Sequence, residues 1–360
     1  MDKAGIDRKV QPLSSRQRLI RLGRYVLPLL LLGVAVHLIL PQIASLEHSL
    51  QVIKGMAWWA VALAIAMQLL SYLGSGYLLQ ALTAMSGQRV SLMRGTAIFT
   101  ASVSVGLAGG GPVGSIAATY RWLRGSGAGG EGAMLAGWLP SLLNSAILVL
   151  VGALGLAHLL IAHQLSTLQA VGFGVTLALL CLVAGVVLWG VYHRPQLIAL
   201  AIQVGERWAK LRRRAYDPAP TQAAVGRLFN AWDTLRAGGW RGPAVGAVAN
   251  VVFDMSTLYL LFIAAGHAVS PGILLAGYGL PLLLGKVSFL PGGVGIVEGT
   301  MAVLYDGLGV PNAVTVVVIL AYRLISFWLP TLLGFPMVAY LQRVARGSVR
   351  EPDHDTAHNV

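Results

Sequence analysis

The chain has 360 residues, of which 56% are hydrophobic and only 11% are charged, and its mean hydropathy is +0.72. Soluble domains carry about 25% charged residues, so this composition excludes a soluble globular protein and indicates an all-α, polytopic membrane protein. The 26 basic residues outnumber the 13 acidic ones. They cluster between apolar runs, which indicates membrane topology rather than nucleic-acid binding.

Apolar runs long enough to cross the hydrocarbon core, about 20 residues each, predict six full spans. The first begins at Tyr25, after a basic tail at 1–24. It lacks an A-x-A-like cleavage site, so we interpret it as a retained span rather than a signal peptide. The last is longer than needed, and Pro330 and Pro336 are expected to kink it. The six predicted spans are 25–43, 57–80, 131–157, 169–191, 244–265 and 312–341.

The segments between the spans differ sharply in charge. The tail at 1–24 contains seven Lys or Arg residues, the loop 193–243 contains nine, and the tail at 343–360 contains three. By the positive-inside rule these segments are cytoplasmic, and so are both termini. The short loops at 44–56, 158–168 and 266–272, whose only Lys or Arg is Lys54, are predicted to face outward. The domain division is therefore two tails around one membrane domain at 25–342.

Two apolar stretches do not cross the membrane in this topology. Residues 95–124 must leave and return on the cytoplasmic side, and residues 273–309 on the outer side. Each contains a Gly-rich break, "GLAGGGPVG" at 106–114 and "LPGGVG" at 290–295, and Gly and Pro interrupt helices. We therefore predict two re-entrant pairs of half-helices. The predicted hinge residues are Gly110, Gly111, Pro112, Gly114 and Pro291.

The two breaks are related to each other by an internal repeat. A shift of 181 residues places "GPVGSIAAT" (111–119) over "GGVGIVEGT" (292–300). Because the copies would enter from opposite faces, we predict an inverted repeat, with copies at about 57–157 and 244–342. In secondary transporters such broken helices mark the binding site. The alternative interpretation is that the glycines only allow helices to pack closely.

Four charged residues are predicted to fall near the middle of the bilayer. They are the acidic Asp254 and Glu298 and the basic Lys286 and Arg323. Left unpaired, they would cost on the order of 10 kcal/mol, so we expect them to pair with one another or to be hydrated. The half-helix N-termini would attract a phosphate or carboxylate, although Glu298 could simply cap its own half-helix. The substrate-binding candidates are Arg121, Arg124, Asp254, Lys286, Gly292, Gly293, Gly295, Glu298 and Arg323.

Several of the polar residues have a structural interpretation as well. Arg121 and Arg124 could be interfacial side chains that snorkel to the head groups. Lys286 and Arg323 could form structural bridges to the two acidic residues. Asn144 and Asn250 are more typical of helix–helix contacts. An amphiphile could keep its acyl tails in lipid while its head group passes such a site, which favours a lipid over a free solute.

The sequence does not indicate bound metals, cofactors or enzymatic chemistry. It contains one cysteine, Cys181, and no metal-ligand spacing, catalytic constellation or Gly-x-x-x-x-Gly-Lys-Ser/Thr motif. We therefore predict no metal, no cofactor and no catalytic activity. Any directed transport would depend on consumption of the product or on a gradient, for example of protons through Glu298 or Asp254.

The stretch "FLPGGVGIVEGT", followed by "GVPNAVTVVVILAYRLISFWLPTLLG", resembles the second half of the lysylphosphatidylglycerol synthase transmembrane domain family. That family includes the flippase part of the multiple-peptide-resistance factors. Its Pro-Gly-Gly-x-Gly-x-x-Glu motif falls on Pro291 through Glu298, and a later family arginine falls on Arg323. The stretch "GGGPVGSIAATYRWLRGSG" is similar to the family's first-half Gly-rich segment, and the resemblance extends over about 25–342.

The chain departs from the family's pattern in its first half. Ser115 and Ala117 stand where many relatives have an acidic residue, and the span 131–157 lacks the relatives' arginine. The synthase domain is not part of the sequence, so the chain is not expected to make a lysyl-lipid itself.

The resemblance implies a flippase or scramblase for a polar-headed, anionic phospholipid, glycolipid or isoprenoid lipid in a bacterial cytoplasmic membrane. Membrane lipids are the expected partners and nucleic acid is not. A homo-oligomer and a lipid-modifying or glycosyltransferase partner stay open. Two alternatives also remain, a small-solute secondary transporter and a non-catalytic membrane partner of a lipid-modifying enzyme.

Overall fold

The computed structural model describes residues 46–347 apart from 86, 89, 163–170, scattered positions between 173 and 191, 212–215, 235–238 and 289. The predicted first span at 25–43 and the tail at 1–24 lie outside the described residues. The predicted span at 169–191 is described in part, and its described residues are helical. The chain divides into a unit Met1–Glu47 and a unit His48–Val360, and the second unit contains the candidate site.

The described residues form helices and turns, with no strand among them. This confirms the all-α prediction. The helices are α1 Leu46–Gly55, α2 Trp58–Ala84, α3 Leu92–Val105, α4 Gly111–Arg124, α5 Gly130–Ile161, α6 Arg194–Leu211, α7 Ala219–Thr234, α8 Arg241–Ala264, α9 Pro271–Val287, α10 Ile296–Gly307, α11 Asn312–Arg323 and α12 Leu329–Gly347.

Four of the described helical segments are long and apolar enough to cross a membrane. They correspond to four of the six predicted spans, and together they support a multi-pass membrane protein. The sidedness of the termini stays a prediction. The four segments are Trp58–Ala84, Gly132–Ile161, Arg241–Ala264 and Asn312–Arg343.

The last span is irregular just before its first proline. A π-helical turn, Leu324–Trp328, joins α11 to α12. It includes Ser326, the residue four before Pro330, whose carbonyl a proline ring would meet in a regular α-helix. Tyr72 of α2 donates a hydrogen bond of 2.5 Å to the carbonyl of Ile325. By contrast, α12 continues through Pro336 without a break. The irregularity therefore lies one turn before Pro330, and Pro336 leaves the helix continuous.

Helices α2 and α8 pack against each other over an extensive contact, and small residues bring their backbones together. A Cβ added at Gly74 would lie 2.7 Å from the amide nitrogen of Asn250, and one added at Gly246 would lie 2.8 Å from the backbone of Leu78. The Asn250 amide also donates to the hydroxyl and carbonyl of Ser71, at 2.9 and 3.1 Å. The prediction of a helix–helix contact for Asn250 is confirmed.

A long helix of each half packs on the helix that precedes the Gly-rich break of the other half. Helix α5 packs on α9, and α12 packs on α3. At these crossings a Cβ on Gly155 would lie 2.3 Å from the amide nitrogen of Ala276, and a Cβ on Gly334 would lie 2.4 Å from the carbonyl oxygen of Thr100. These two glycines, which lie outside the Gly-rich breaks, therefore allow close helix packing. Each half thus covers the helix that precedes the Gly-rich break of the other half.

Candidate functional site

The first Gly-rich break is a chain reversal between α3 and α4. A π-helical turn, Gly106–Gly110, ends α3, and Gly111 takes φ +54°, a conformation that side chains other than glycine rarely adopt. The Thr119 hydroxyl of α4 then donates to the Ser102 hydroxyl of α3 at 2.7 Å. This contact is centred on Gly110 and Gly111, so the two helices form an antiparallel hairpin with its tip at the predicted break.

The second break is a chain reversal of the same kind between α9 and α10. A short 3-10 turn, Pro291–Gly293, separates the helices, and Gly292, Gly293 and Gly295 all have positive φ. Close approaches of Gly285 to Val297 and of Gly277 to Tyr305 are both centred on Pro291. The hairpin tip therefore lies at the predicted hinge.

The tips of the two hairpins contact each other. At this contact the Gly106–Gly110 turn lies against the Pro291–Gly293 turn. The hairpin centres are separated along the chain by about the 181 residues of the repeat. Of the other predicted hinge residues, Pro112 lies in the first turn of α4. A Cβ added at Gly114 would be in ordinary van der Waals contact with Val105. The two glycine-rich segments therefore meet in space.

An ion pair braces the second hairpin tip. Arg323, 5% exposed, donates from Nε to Glu298 Oε1 at 2.5 Å and from Nη2 to the carbonyl oxygen of Gly292 at 2.9 Å. The other Glu298 oxygen accepts the amide hydrogen of Gly295 at 2.6 Å. Glu298 therefore caps α10 and also pairs with Arg323, as the sequence allowed.

The same brace includes the ring of Phe327 in the π-helical turn. The guanidinium carbon of Arg323 lies 4.3 Å from the centre of that ring, within the range of a cation–π contact. A Cβ at Gly292 would lie 2.1 Å from the ring. Three elements, the 3-10 turn, α10 and the π-helical turn, are thereby held together by one guanidinium group.

Asp254 lies near the middle of α8 in a separate cluster of neutral groups. Its Oδ1 accepts from the Gln68 amide at 2.8 Å, and its Oδ2 accepts from the hydroxyls of Tyr278 and Tyr322 at 2.8 and 2.7 Å. Among the described residues no basic group lies within ion-pair distance of this carboxylate. The bridge from Lys286 to Asp254 that the sequence allowed is not formed.

Lys286, in the last turn of α9, contacts α5 instead. Its ammonium donates to the Ser145 hydroxyl at 3.2 Å and to the carbonyl of Ser141 at 3.4 Å. Both acceptors are neutral, and the side chain is exposed. Of the two basic residues predicted to lie near mid-bilayer, only Arg323 is therefore neutralised by a carboxylate in the described part of the chain.

Arg121 and Arg124 lie away from these clusters, in the last turn of α4. Both side chains are exposed, and the Arg124 guanidinium donates to the carbonyl of Ala128 at 3.3 Å. The hairpin places them at the end of α4 opposite to its glycine-rich tip, a position compatible with the snorkelling interpretation.

Sequence analysis did not identify the three side chains that hold Asp254. Gln68 is 2% exposed within an apolar helix, and an amide in such a helix is a signal that could have been used. Tyr278 and Tyr322 carry no comparable signal, because tyrosine is common in membrane helices. Among the described residues, no group of three His, Cys, Asp or Glu side chains could hold a metal ion.

Comparison with known proteins gives a family match over most of the chain. Residues 25–334 match the family model "Lysylphosphatidylglycerol synthase TM region". A UPF0104 membrane protein of Methanocaldococcus jannaschii is 25% identical over 161 residues, 44% of this chain and 48% of the relative. One of Pyrococcus horikoshii is 36% identical over 81 residues, 22% of this chain and 24% of the relative.

A UPF0104 membrane protein of Methanothermobacter thermautotrophicus is 34% identical over 89 residues, a quarter of each chain. The matched regions thus span about half or less of these curated relatives, all of which are archaeal. The family model, by contrast, covers far more than half of the chain and both hairpins. The chain therefore belongs to the lysylphosphatidylglycerol synthase transmembrane-region family.

Proposed function

We propose that this protein moves a polar-headed, anionic lipid between the two leaflets of the membrane, without catalysing a covalent reaction. The observation that carries the proposal is Lys286, an exposed ammonium in an apolar segment beside the hairpin tips. Among the described residues it donates only to the neutral oxygens of Ser141 and Ser145. A basic group at such depth is costly unless an anion accompanies it. The phosphate of a lipid head group supplies that anion.

The packing of α4 on α5 supports a site at the first hairpin tip. Gly137 of α5 contacts Ile116 of α4, so Ser141, one turn further along α5, is level with Pro112 in the first turn of antiparallel α4. The Lys286 ammonium therefore lies near the N-terminus of α4. That first turn contains no acidic residue, so its positive dipole end is open to an external anion.

The second hairpin tip differs in this respect. There Glu298 lies in the first turn of α10 and Arg323 neutralises it, so a bound phosphate would meet a carboxylate. The family membership supports a role connected with membrane lipids. In our proposal the first tip receives the head group, and the second tip is an internally neutralised support. The acyl tails remain in lipid throughout.

Exchange of labelled lipids in proteoliposomes tests the function. Vesicles of phosphatidylcholine would contain a small fraction of fluorescent phosphatidylglycerol or fluorescent phosphatidylcholine, and a membrane-impermeant quencher would report the outer-leaflet fraction with time. We expect the protein to accelerate exchange of phosphatidylglycerol above protein-free vesicles. No acceleration for any lipid class would overturn the proposal, and saturable uptake of a soluble anion instead would favour a small-solute transporter.

Lys286→Gln should slow phosphatidylglycerol exchange by about tenfold or more, because a hydrogen bond to a charged group contributes about 1.5–3 kcal/mol. Lys286→Arg should restore most of the rate, since it restores the charge. The matched control is Lys54→Gln, which removes an exposed charge from the last turn of α1. If Lys286→Gln exchanged phosphatidylglycerol as fast as the wild type, the head-group site would lie elsewhere even though the function stood.

We also propose that the two hairpins re-enter the membrane from opposite faces, as an inverted repeat. The exchanged packing of α5 on α9 and of α12 on α3 supports this topology. Single cysteines in a Cys181→Ser background test it. In intact cells we expect an impermeant maleimide to label Asp306→Cys and to label Ser126→Cys only after permeabilisation. Labelling of both from the same side would rule the topology out.

A further inference from the structure

We propose that Asp254 is a proton-binding site that couples lipid movement to a transmembrane pH gradient. This inference rests on the proposed function and deepens it. Asp254 lies near the middle of a candidate membrane span and receives hydrogen bonds from Gln68, Tyr278 and Tyr322, all of which are neutral. An intramembrane carboxylate without a basic partner is the kind of group that accepts and releases protons in transporters.

The geometry selects Asp254 over Glu298 for this role. The charge of Glu298 is balanced by Arg323 and by the N-terminus of α10, so adding a proton to it would leave Arg323 buried without its partner. Asp254 can take up a proton without stranding a positive charge. The residue is partly buried, and the proposed role requires that water reach the carboxylate to supply and receive the proton.

The titratable groups on the helices packed against α8 do not replace that missing basic partner. Those facing Asp254 are the hydroxyls of Tyr72, Tyr278 and Tyr322, and the guanidinium of Arg323, which is engaged with Glu298. Helix α5 also packs on α8. Its two described titratable residues, Glu131 and His158, lie near its two ends.

Gln68 can serve both protonation states of Asp254. Its Nε2 donates to the carboxylate at 2.8 Å, while its Oε1 is buried and has no hydrogen-bond partner among the residues that the structure describes. A rotation of the side-chain amide by half a turn exchanges the positions of its nitrogen and oxygen. The oxygen of the same side chain can then accept a hydrogen bond from a protonated Asp254. Tyrosine hydroxyls can likewise rotate between donating and accepting. The cluster therefore accommodates the arrival and departure of one proton without losing its contacts.

The cluster also links the halves that would have to move. Gln68 lies in α2 of the first half, and Tyr278 and Tyr322 lie in α9 and α11 of the second. Tyr322 directly precedes Arg323, which braces the second hairpin tip. A change of charge at Asp254 would therefore alter the electrostatic interactions between the two halves and beside that hairpin tip. In the proposed cycle the carboxylate takes a proton from water on one side and returns it to water on the other.

A pH gradient across the proteoliposomes tests the coupling with the full chain. For one proton per lipid, a gradient of about one pH unit should produce about a tenfold asymmetry of fluorescent phosphatidylglycerol between the leaflets, and reversing the gradient should reverse it. The direction is independent of how the protein inserted. Asp254→Asn should exchange lipid without asymmetry, Asp254→Glu should retain asymmetry, and the exposed control Asp306→Asn should match the wild type.

The outcomes separate this inference from the function on which it rests. Exchange by the wild type with equal leaflets under the gradient would overturn the coupling and leave the lipid transport intact. If no lipid exchanged, a second measurement would still decide, namely the carboxylic acid C=O band in infrared spectra of the purified protein. A band that grows as pH falls and is missing from Asp254→Asn would support the proton site. Identical spectra for both proteins would overturn it.

Discussion

Arg323→Ala is expected to lower the stability of the protein by about 3–5 kcal/mol, the cost of removing one partner from a buried ion pair. The substitution would leave the Glu298 carboxylate without a balancing charge and the carbonyl of Gly292 without a donor. It would also remove the contact with the ring of Phe327. Thermal unfolding of the purified protein in detergent measures the effect.

A matched control and a double variant isolate the ion pair. Arg343→Ala removes an exposed arginine from α12 of the same span and should change the midpoint of unfolding little. Glu298→Gln combined with Arg323→Met should cost less than the two single substitutions together, because neither leaves an unpaired charge in that background. Strictly additive costs would show that the two side chains do not interact, and the bracing role would be wrong.

Gly292→Ala should destabilise the second hairpin tip by at least about 2 kcal/mol. The left-handed conformation at φ +66° alone costs an alanine about 1–2 kcal/mol. The added Cβ would also lie 2.1 Å from the Phe327 ring, so the ring or the turn must shift. Because the ring packs against Arg323, we expect slower lipid exchange as well as a lower unfolding temperature.

Two other glycines separate the causes of that effect. Gly266→Ala, just after α8, has the same backbone problem, at φ +73°, but nothing lies within 4 Å of the new Cβ. This variant should therefore show only the free-energy cost of the positive φ for an alanine. Gly299→Ala, in α10 with open space around it, should stabilise by about 0.5–1 kcal/mol. If Gly292→Ala were no worse than Gly266→Ala, the contact with Phe327 would contribute nothing.

The two hairpin tips thus have unequal roles in our account, although they share a sequence pattern. The second tip is closed by its own ion pair, and the first has an open helix N-terminus near Lys286. The departures from the family's pattern fall in this first half, where Ser115 and Ala117 replace an acidic residue and α5 lacks an arginine. An asymmetric mechanism, with one tip receiving the head group, follows more naturally than a symmetric two-site mechanism.

The glycine hinges could be predicted because their cause is local. Clusters of Gly next to Pro disfavour continuation of a helix, and residue order alone reveals such clusters at Gly111–Pro112 and Pro291–Gly293. The four long spans could be predicted for a similar reason, since about 20 consecutive apolar residues suffice to identify a membrane span. The disturbance before Pro330 was expected as a kink, and its form, a π-helical turn, depends on the contacts of that turn.

The partners of the intramembrane charges could not be predicted, because four groups at similar depth allow several pairings. Sequence analysis allowed both Lys286 and Arg323 to bridge to acidic residues, and only the Arg323–Glu298 bridge is present. Lys286 is directed to α5 by the packing of α9 on that helix. The contacts of Lys286 join residues more than a hundred positions apart, and hydrophobic periodicity contains no information about them.

Membrane character, helix lengths and hinge positions were accessible from residue order, since each depends on hydrophobicity or backbone geometry within a short segment. The neutral surroundings of Asp254, the exposed ammonium of Lys286 and the contact between the hairpin tips arise only when helices from both halves assemble. Which charges neutralise each other depends on distances of a few ångströms between helices. Those distances are set by small-residue crossings such as Gly155 on Ala276, and only the packed structure determines them.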